Sequence, residues 1–359
     1  MTGAGADGLA VDVVVDNHNY GRFLAEAVDS ALAQTHPRLR VIVVDDGSTD
    51  DSREVLDRYE GRVELVLKEN GGQASALNAG VERCEGDIVM FLDADDVLRP
   101  EAAARAAAAL AADEAIAKVQ FRMEVIDAAG EPTGALKPHP HLPLPEGDLR
   151  AAELAYPFDI PWTATSANAF RTRLLRRILP IPEADYPLSG ADWHLVHLSA
   201  LLGPVASLDE VLASYRVHGA NAYEPQAAEL DLAQVRQSIG FAASTSRALL
   251  SLAAELGLPH PDRILSIADL SRRLASLRLE PQLHPVAGDR VAGLLRDSLT
   301  ATKRRTNVSP AIRAAFIAWF AAMAVAPRPL ARGLATALLF PERRGALNRT
   351  LGRLQRGGG

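Results

Sequence analysis

The stretch Ile88 to Asp96, Ile-Val-Met-Phe-Leu-Asp-Ala-Asp-Asp, sets carboxylates at the end of an apolar run. Asp93 and Asp95 stand two residues apart, so in a chain that stays extended they point the same way and can serve one cation. A hard divalent ion takes one or two carboxylates and completes its shell with water and phosphate oxygens, which suits a site that meets a diphosphate. Acidic residues after a strand also cap a following helix, and the motif alone leaves both readings open. The cluster Asp45-Asp46-Gly47-Ser48-Thr49-Asp50 follows another apolar run, and its Ser, Thr and Asp make good helix N-caps before Val55-Leu56. No Gly-rich loop ending in Lys-Ser/Thr is present, which argues against an ATPase.

The elements that must present these residues are short β-branched runs alternating with helical spacing. Val11 to Val15 reads as a first strand ending in Asp16-Asn17-His18-Asn19, and Phe23, Ala27, Ala31 and Leu32 recur at helical spacing before His36-Pro37. Val41 to Val44, Val63 to Leu67 and Ile88 to Leu92 read as further strands, with a helix over Ala74 to Arg83. This alternation predicts an α/β, Rossmann-like, doubly wound and mostly parallel sheet that binds its ligand beyond the carboxyl ends of the strands. Beyond Pro100 the pattern predicts a helix to Ala112 and an antiparallel strand over Lys118 to Ile126, where polar and apolar residues alternate. A proline-rich loop follows from Glu131 to Gly147, then a helix over Ala191 to Leu202 and a last strand over Val211 to Val217. From Leu230 onward only helical spacing appears.

With 359 residues, 48% hydrophobic and 23% charged, the chain can bury a sizeable core. Cys84 is the single cysteine, which excludes an internal disulfide and a cysteine metal cluster and fits a reducing compartment. Met1 to Ala10 has no basic flank and no apolar stretch of the secretory kind, so a cytoplasmic catalytic part is expected. The net charge of −7 is uneven: Ser298 to Gly359 holds eleven Lys/Arg against Glu342 alone, a net +10, leaving −17 for the remainder. Within that basic segment Ala314 to Ala326 is uncharged, shorter than the roughly 20 residues that span a bilayer. Phe316, Ile317, Trp319, Phe320 and Met323 recur there at helical spacing. Two readings stand: a helix lying on an anionic membrane surface, which makes the protein peripheral on the inner face of the cell membrane, or a packed C-terminal helix or dimer contact. No nucleic-acid partner is expected.

Val11 to Asn19, Val41 to Asp50, Glu69-Asn-Gly-Gly72 with Asn78-Ala-Gly80, and Phe91-Leu-Asp-Ala-Asp-Asp96 fall in the order and spacing of another set of proteins. The chain resembles the GT-A glycosyltransferases of family 2, specifically over Val11 to Pro100 and more weakly through Asn221. The resemblance implies a nucleotide-diphosphate sugar donor, a divalent metal (Mn²⁺ or Mg²⁺) and transfer with inversion to a carbohydrate or lipid-linked acceptor, in polysaccharide or glycoconjugate synthesis. It implies that Asp16, His18, Asp45, Asp46, Gly72, Asn78 and Asp93 bind the nucleotide-sugar, that Asp95 and His218 serve the metal, and that Asp192 is the base. Tyr215-Arg216-Val217-His218 is similar to a late segment whose His or Arg approaches the diphosphate. The resemblance implies a GT-A catalytic domain over 1–225, with a nucleotide-sugar half about 1–115 and an acceptor half about 116–225; it is absent beyond Asn221, where helical spacing and charge mark a helical region over 226–300 and a basic amphipathic segment over 301–359.

Three departures touch the site. The family often has Pro-Thr-Tyr-Asn where this chain has Asp16-Asn17-His18-Asn19, an Arg where Leu77 stands, and a Glu where Ala191 stands. A nucleotidyltransferase on the same kind of sheet, or a non-catalytic nucleotide-sugar-binding scaffold, is the alternative function.

Overall fold

The computed structural model describes residues 8–219, 221, 230–305 and 308–339. Nine strands form one sheet: β1 (Val11–Asn17), β2 (Leu39–Asp46), β3 (Glu64–Lys68), β4 (Ile88–Asp93), β5 (Val97–Leu98), β6 (Lys118–Ile126), β7 (Pro132–Lys137), β8 (Asn168–Arg171) and β9 (Val205–Arg216). Their order is β3-β2-β1-β4-β8-β6-β9-β5, with β7 paired to β6. The block β3-β2-β1-β4 is parallel throughout, and β1 sits between β2 and β4 with Asp16 in register opposite Asp93. That register, set by the strand pairing alone, puts two acidic strand ends side by side. It is the doubly wound, mostly parallel arrangement expected of such alternation.

The helices are α1 (Gly21–Leu32), α2 (Ser52–Leu56), α3 (Gln73–Arg83), α4 (Ala102–Ala112), α5 (Arg150–Ala155), α6 (Thr172–Leu175), α7 (Ala191–Leu202), α8 (Leu232–Glu255), α9 (Ile267–Leu279), α10 (Val291–Arg304), α11 (Pro310–Val325) and α12 (Arg328–Leu339). Both faces of β1 are covered, which is why its sequence is a β-branched run rather than an alternation. Val13 and Val15 join Leu24 and Val28 of α1 and Ala103 and Ala106 of α4 in one core. Val14 faces the other way, onto α3, where a Cβ on Gly80 would stand 2.3 Å from its Cγ1. Glycine at 80 therefore sets how closely α3 approaches the sheet.

β6 is the strand expected over Lys118 to Ile126, and its polar residues Lys118, Gln120 and Arg122 are all buried. β6 lies inside the sheet, antiparallel to β7 and β8 and parallel to β9. Its polar groups are matched one by one: Lys118 Nζ donates to Asn168 Oδ1 at 2.8 Å, Gln120 Nε2 to Pro145 O at 2.7 Å, and Arg122 pairs with Asp209. One expectation needs correction: the proline-rich stretch from Glu131 is not all loop, since Pro132–Lys137 forms β7, paired to β6.

By internal packing the chain divides into two compact units: the described residues of 1–154, 160–224 and 244–260, and those of 155–159, 225–243 and 261–359. In the second unit Phe320 and Met323 of α11 are buried with Leu270 and Leu274 of α9, Leu294 of α10, and Ala331 and Ala335 of α12. Phe316 and Trp319 pack against the same cluster, and Trp319 Nε1 donates to Leu334 O at 2.9 Å. Most of the apolar stripe seen in the sequence is thus spent on the core of this unit. Phe320→Ala is expected to cost about 3–5 kcal/mol, read as a lower denaturant midpoint for this unit. Among the described residues no helix is long and apolar enough to cross a membrane. Arg343, Arg344, Arg349, Arg353 and Arg356 of the basic segment lie outside the described residues.

Candidate active site

β4 ends at Asp93 and the chain turns at once, the N–H of Asp96 donating to Asp93 O at 2.9 Å. Extended geometry therefore does not continue to Asp95, and it is this turn, not strand alternation, that gathers the carboxylates. Asp93, Asp95 and Asp96 each offer an oxygen within 4.8 Å of the others. Arg216, at the end of β9, staples the turn. Its backbone N–H donates to Asp96 Oδ1 at 3.0 Å, its Nε to Asp95 O at 2.9 Å, and its guanidinium to Glu26 Oε2 at 2.5 Å. Arg216 is buried in these contacts, which support the turn. His218 stands beside the cluster, its Nε2 2.9 Å from Asp95 Oδ2, where Asn221 Nδ2 also donates at 3.2 Å.

Burial, followed by the charge of Asp95, pushes Asp16 up to about 7. Burial likewise raises Asp93, with Asp16 and Asp96 adding to it, and raises Asp96 beside Asp95. Oδ1 of Asp16 and Oδ2 of Asp96 are buried without a hydrogen-bond partner. Crowded carboxylates with unsatisfied oxygens are a donor set that fits a hard divalent cation, whose charge would favour the ionised forms again. One consequence is measurable without any ligand. A carboxyl whose pKa is higher folded than unfolded binds its proton more tightly in the fold, so stability falls as pH rises between the two values, by up to about 1.4 kcal/mol per pH unit. Asp16→Asn should therefore raise the Tm of the metal-free protein above pH 7 and change it little near pH 4.

The first-strand loop and the Asp-Asp-Gly-Ser segment are tied to each other. Asp46 accepts from Lys68 Nζ at 2.5 Å and from the N–H groups of Gly71 and Gly72 at 3.0 and 2.7 Å. Gly72 has φ +83°, and a Cβ there would stand 2.2 Å from Pro187 O, so this glycine serves a turn and a close approach together. His18 Nδ1 lies 2.8 Å from Asp46 O, so it must donate, and Nε2 then accepts from Asn19 and Asn70 amides at 3.1 Å. Two expected donor contacts are displaced. Asp45 is enclosed, accepting from Asn17 Nδ2 at 3.0 Å and Ser48 N at 3.1 Å, and organises the loop from behind. Asn78 spends both ends of its amide on the backbone of Ile181, donating at 2.9 Å and accepting at 2.8 Å. Neither lines the cleft.

Opposite stands the N-terminus of α7. Gly190, with φ +85°, is the N-cap, so Asp192 is not the cap but lies in the first turn. Its Oδ1 accepts from Trp193 N at 3.0 Å. Burial raises the Asp192 carboxyl, against the lowering pull of that N–H, His197 and Lys118. Desolvation thus outweighs the helix terminus, a balance that sequence could not give. Two other carboxylates of this part of the chain are engaged elsewhere, Asp185 with Arg247 and Asp209 with Arg122.

A cleft of about 380 Å³ brings together Asp16, His18, Asp46, Gly72, Asp93, Asp95 and Asp192. It also contains residues that sequence reasoning did not assign: Tyr20, Gln73, Tyr215 and Asn221. Gln73 is the most informative. Its Nε2 donates to Asp93 Oδ1 and its Oε1 accepts from Ala191 N, both at 3.3 Å, so one amide joins the acidic turn to the start of α7. Its only sequence signal is its place at the N-terminus of a helix right after Gly71-Gly72.

This sheet, with an acidic turn after its fourth strand and a carboxylate facing it across the cleft, defines a GT-A type α/β domain. Residues 12–178 match the profile of Glycosyl transferase family 2, and that part of the chain is a domain of the family. An uncharacterized glycosyltransferase of Nostoc sp. is 33% identical over 217 residues, 59% of this chain and 66% of that protein. The putative teichuronic acid biosynthesis glycosyltransferase TuaG of Bacillus subtilis is 42% identical over 90 residues, 24% of this chain and 36% of that protein. The chain thus spans just under two thirds of the first relative and about a third of the second. Among solved structures, S. aureus TarS 1-349 superposes with a TM-score of 0.50 at 17% identity, covering 94% of this chain and 92% of that one, a likeness of fold.

Proposed function

We propose that the protein is an inverting glycosyltransferase that moves a sugar from a nucleotide-diphosphate sugar to an acceptor hydroxyl. The observation that carries the reading is the shared cleft, whose lining includes Asp93 and Asp95 of the acidic turn together with Asp192 of α7. Asp95 and Asp93 would hold a divalent cation, Mn²⁺ or Mg²⁺, which when bound supplies Lewis-acid stabilisation of the leaving diphosphate. Asp16, His18 and Asp46 line the same cleft and would take the nucleoside, with hydroxyl donors meeting carboxylate acceptors. His18, both of whose ring nitrogens are engaged, offers its ring rather than a polar atom.

In the same cleft Asp192 takes the proton of the acceptor hydroxyl as that oxygen bonds to the anomeric carbon and the bond to the diphosphate oxygen breaks. In this reading residues up to about 115 serve the donor and 116–225 the acceptor. The names of the relatives support a carbohydrate acceptor in polysaccharide or glycoconjugate synthesis. Incubation with a panel of nucleotide-diphosphate sugars, with Mn²⁺ or Mg²⁺ and after chelation, tests it. Release of a nucleoside diphosphate that stops on chelation is the expected result. Release of pyrophosphate would point to a nucleotidyltransferase, and binding without turnover to a scaffold.

A further inference from the structure

Arg22 projects from the exposed side of α1, outside the residues assigned above, and its guanidinium lies 3.1 Å from Nδ1 of His218. Arginine has donors only, so Nδ1 must accept. A ring that accepts at Nδ1 carries its single proton on Nε2, and Nε2 lies 2.9 Å from Asp95 Oδ2. The hydrogen bond to the carboxylate therefore runs from imidazole N–H to oxygen, and the Nε2 lone pair that a metal would need is absent. The surroundings hold both partners in place. The His218 side chain is fully buried. Its ring centroid lies 4.8 Å from that of Phe23 and 5.3 Å from that of Tyr20, and the Arg22 guanidinium sits 4.3 Å above the Phe23 ring. Asn221 adds a second donor to the same Asp95 oxygen while its own Oδ1 accepts from the His218 backbone N–H at 2.8 Å.

We infer that Arg22 is a positioning residue: it fixes the tautomer of His218, which then holds Asp95 Oδ2 so that the other oxygen of Asp95 is presented to the cation. His218 is in this arrangement a support of the ligand and not a ligand itself. The inference rests on the proposed cation role of Asp95, and it assigns to an exposed arginine, remote in sequence from the acidic turn, control over how that turn is presented. Replacing a group that orients a metal ligand typically costs 10–100-fold in metal affinity.

The test has two arms on the full chain. In metal-free, ¹⁵N-labelled protein, imidazole nitrogen–proton correlations should show His218 protonated at Nε2 alone, the resonance being assigned by its loss in His218→Gln. Arg22→Met should release that tautomer, and Arg22→Lys, still a pure donor, should restore at least part of it. In the second arm, calorimetric titration with Mn²⁺ alone should show roughly 10–100-fold weaker binding for Arg22→Met, with recovery in Arg22→Lys. Circular dichroism checks that the surface substitution leaves the fold intact. A native ring protonated at Nδ1, a tautomer indifferent to Arg22→Met, or unchanged Mn²⁺ affinity in that variant would each overturn the inference. Failure of the native protein to bind Mn²⁺ would instead remove the metal reading of the function, while the metal-free arm still decides what Arg22 does to the ring.

Discussion

Asp95→Ala should lower sugar transfer by roughly three powers of ten, since the charge stabilisation a bound cation supplies is worth several kcal/mol and each 1.36 kcal/mol is tenfold in rate. Asp95 is the member of the acidic turn that is gripped from outside, by His218 and Asn221 on Oδ2 and by Arg216 on its backbone carbonyl. Asp93 is bound into the sheet, its N–H donating to Ser166 Oγ at 3.1 Å, and Asp96 is tied to the N–H of Arg216. Removing the Asp95 side chain leaves those backbone contacts in place, so the fold should survive while Mn²⁺ binding is lost. Transfer assays over a range of Mn²⁺ concentrations, with thermal melts as the control for folding, check both halves. Full activity of Asp95→Ala at low metal would sink the assignment.

Much of this site was legible because its parts are strand ends. Apart from Asp12, the runs Val11–Val15, Val41–Val44 and Ile88–Leu92 are β-branched or apolar, as a parallel strand buried on both faces requires. The acidic residues following them had to fall at one edge of the sheet. What stayed hidden depends on distant partners. Asn78 and Asp45 look like ligands in a motif, but Ile181 and the Asn17–Ser48 pair claim them, and those contacts span 103 and 28 residues of sequence. Gln73 and Arg22 gain their roles only from what α7 and the end of β9 bring to them. The polar residues of β6 show a related effect: Lys118 is buried on Asn168 and lies 4.1 Å from the Trp162 ring centroid, and burial pulls its amine down to about 7. Apolar periodicity reports only that a residue is buried, whereas polar residues are buried where partners exist to meet them.

Asp192→Asn should reduce transfer by roughly a hundredfold or more while leaving donor binding and stability near those of the parent, because general-base assistance contributes about 10²–10⁴. An acceptor hydroxyl is a weak nucleophile at neutral pH, and its proton must leave as the new bond forms. The side chain that takes it has to lie across the sugar from the diphosphate, on an element other than the acidic turn, and Asp192 faces the cleft from α7. Asparagine keeps the size and can still accept from Trp193 N, so the helix start is preserved, but it cannot bind the proton. The pH profile gives an independent signature. Burial raises the Asp192 carboxyl, and the base works ionised, so native transfer should fall on acidification at a pH above the usual carboxylate range. In Asp192→Asn that acidic limb should vanish from the residual rate. The neighbours that set its position are Lys118 and His197, which favour the ionised form, and Asp93 across the cleft, which opposes it. Transfer by Asp192→Asn within a few-fold of the parent, or an acidic limb that persists unchanged, would assign the base to another residue.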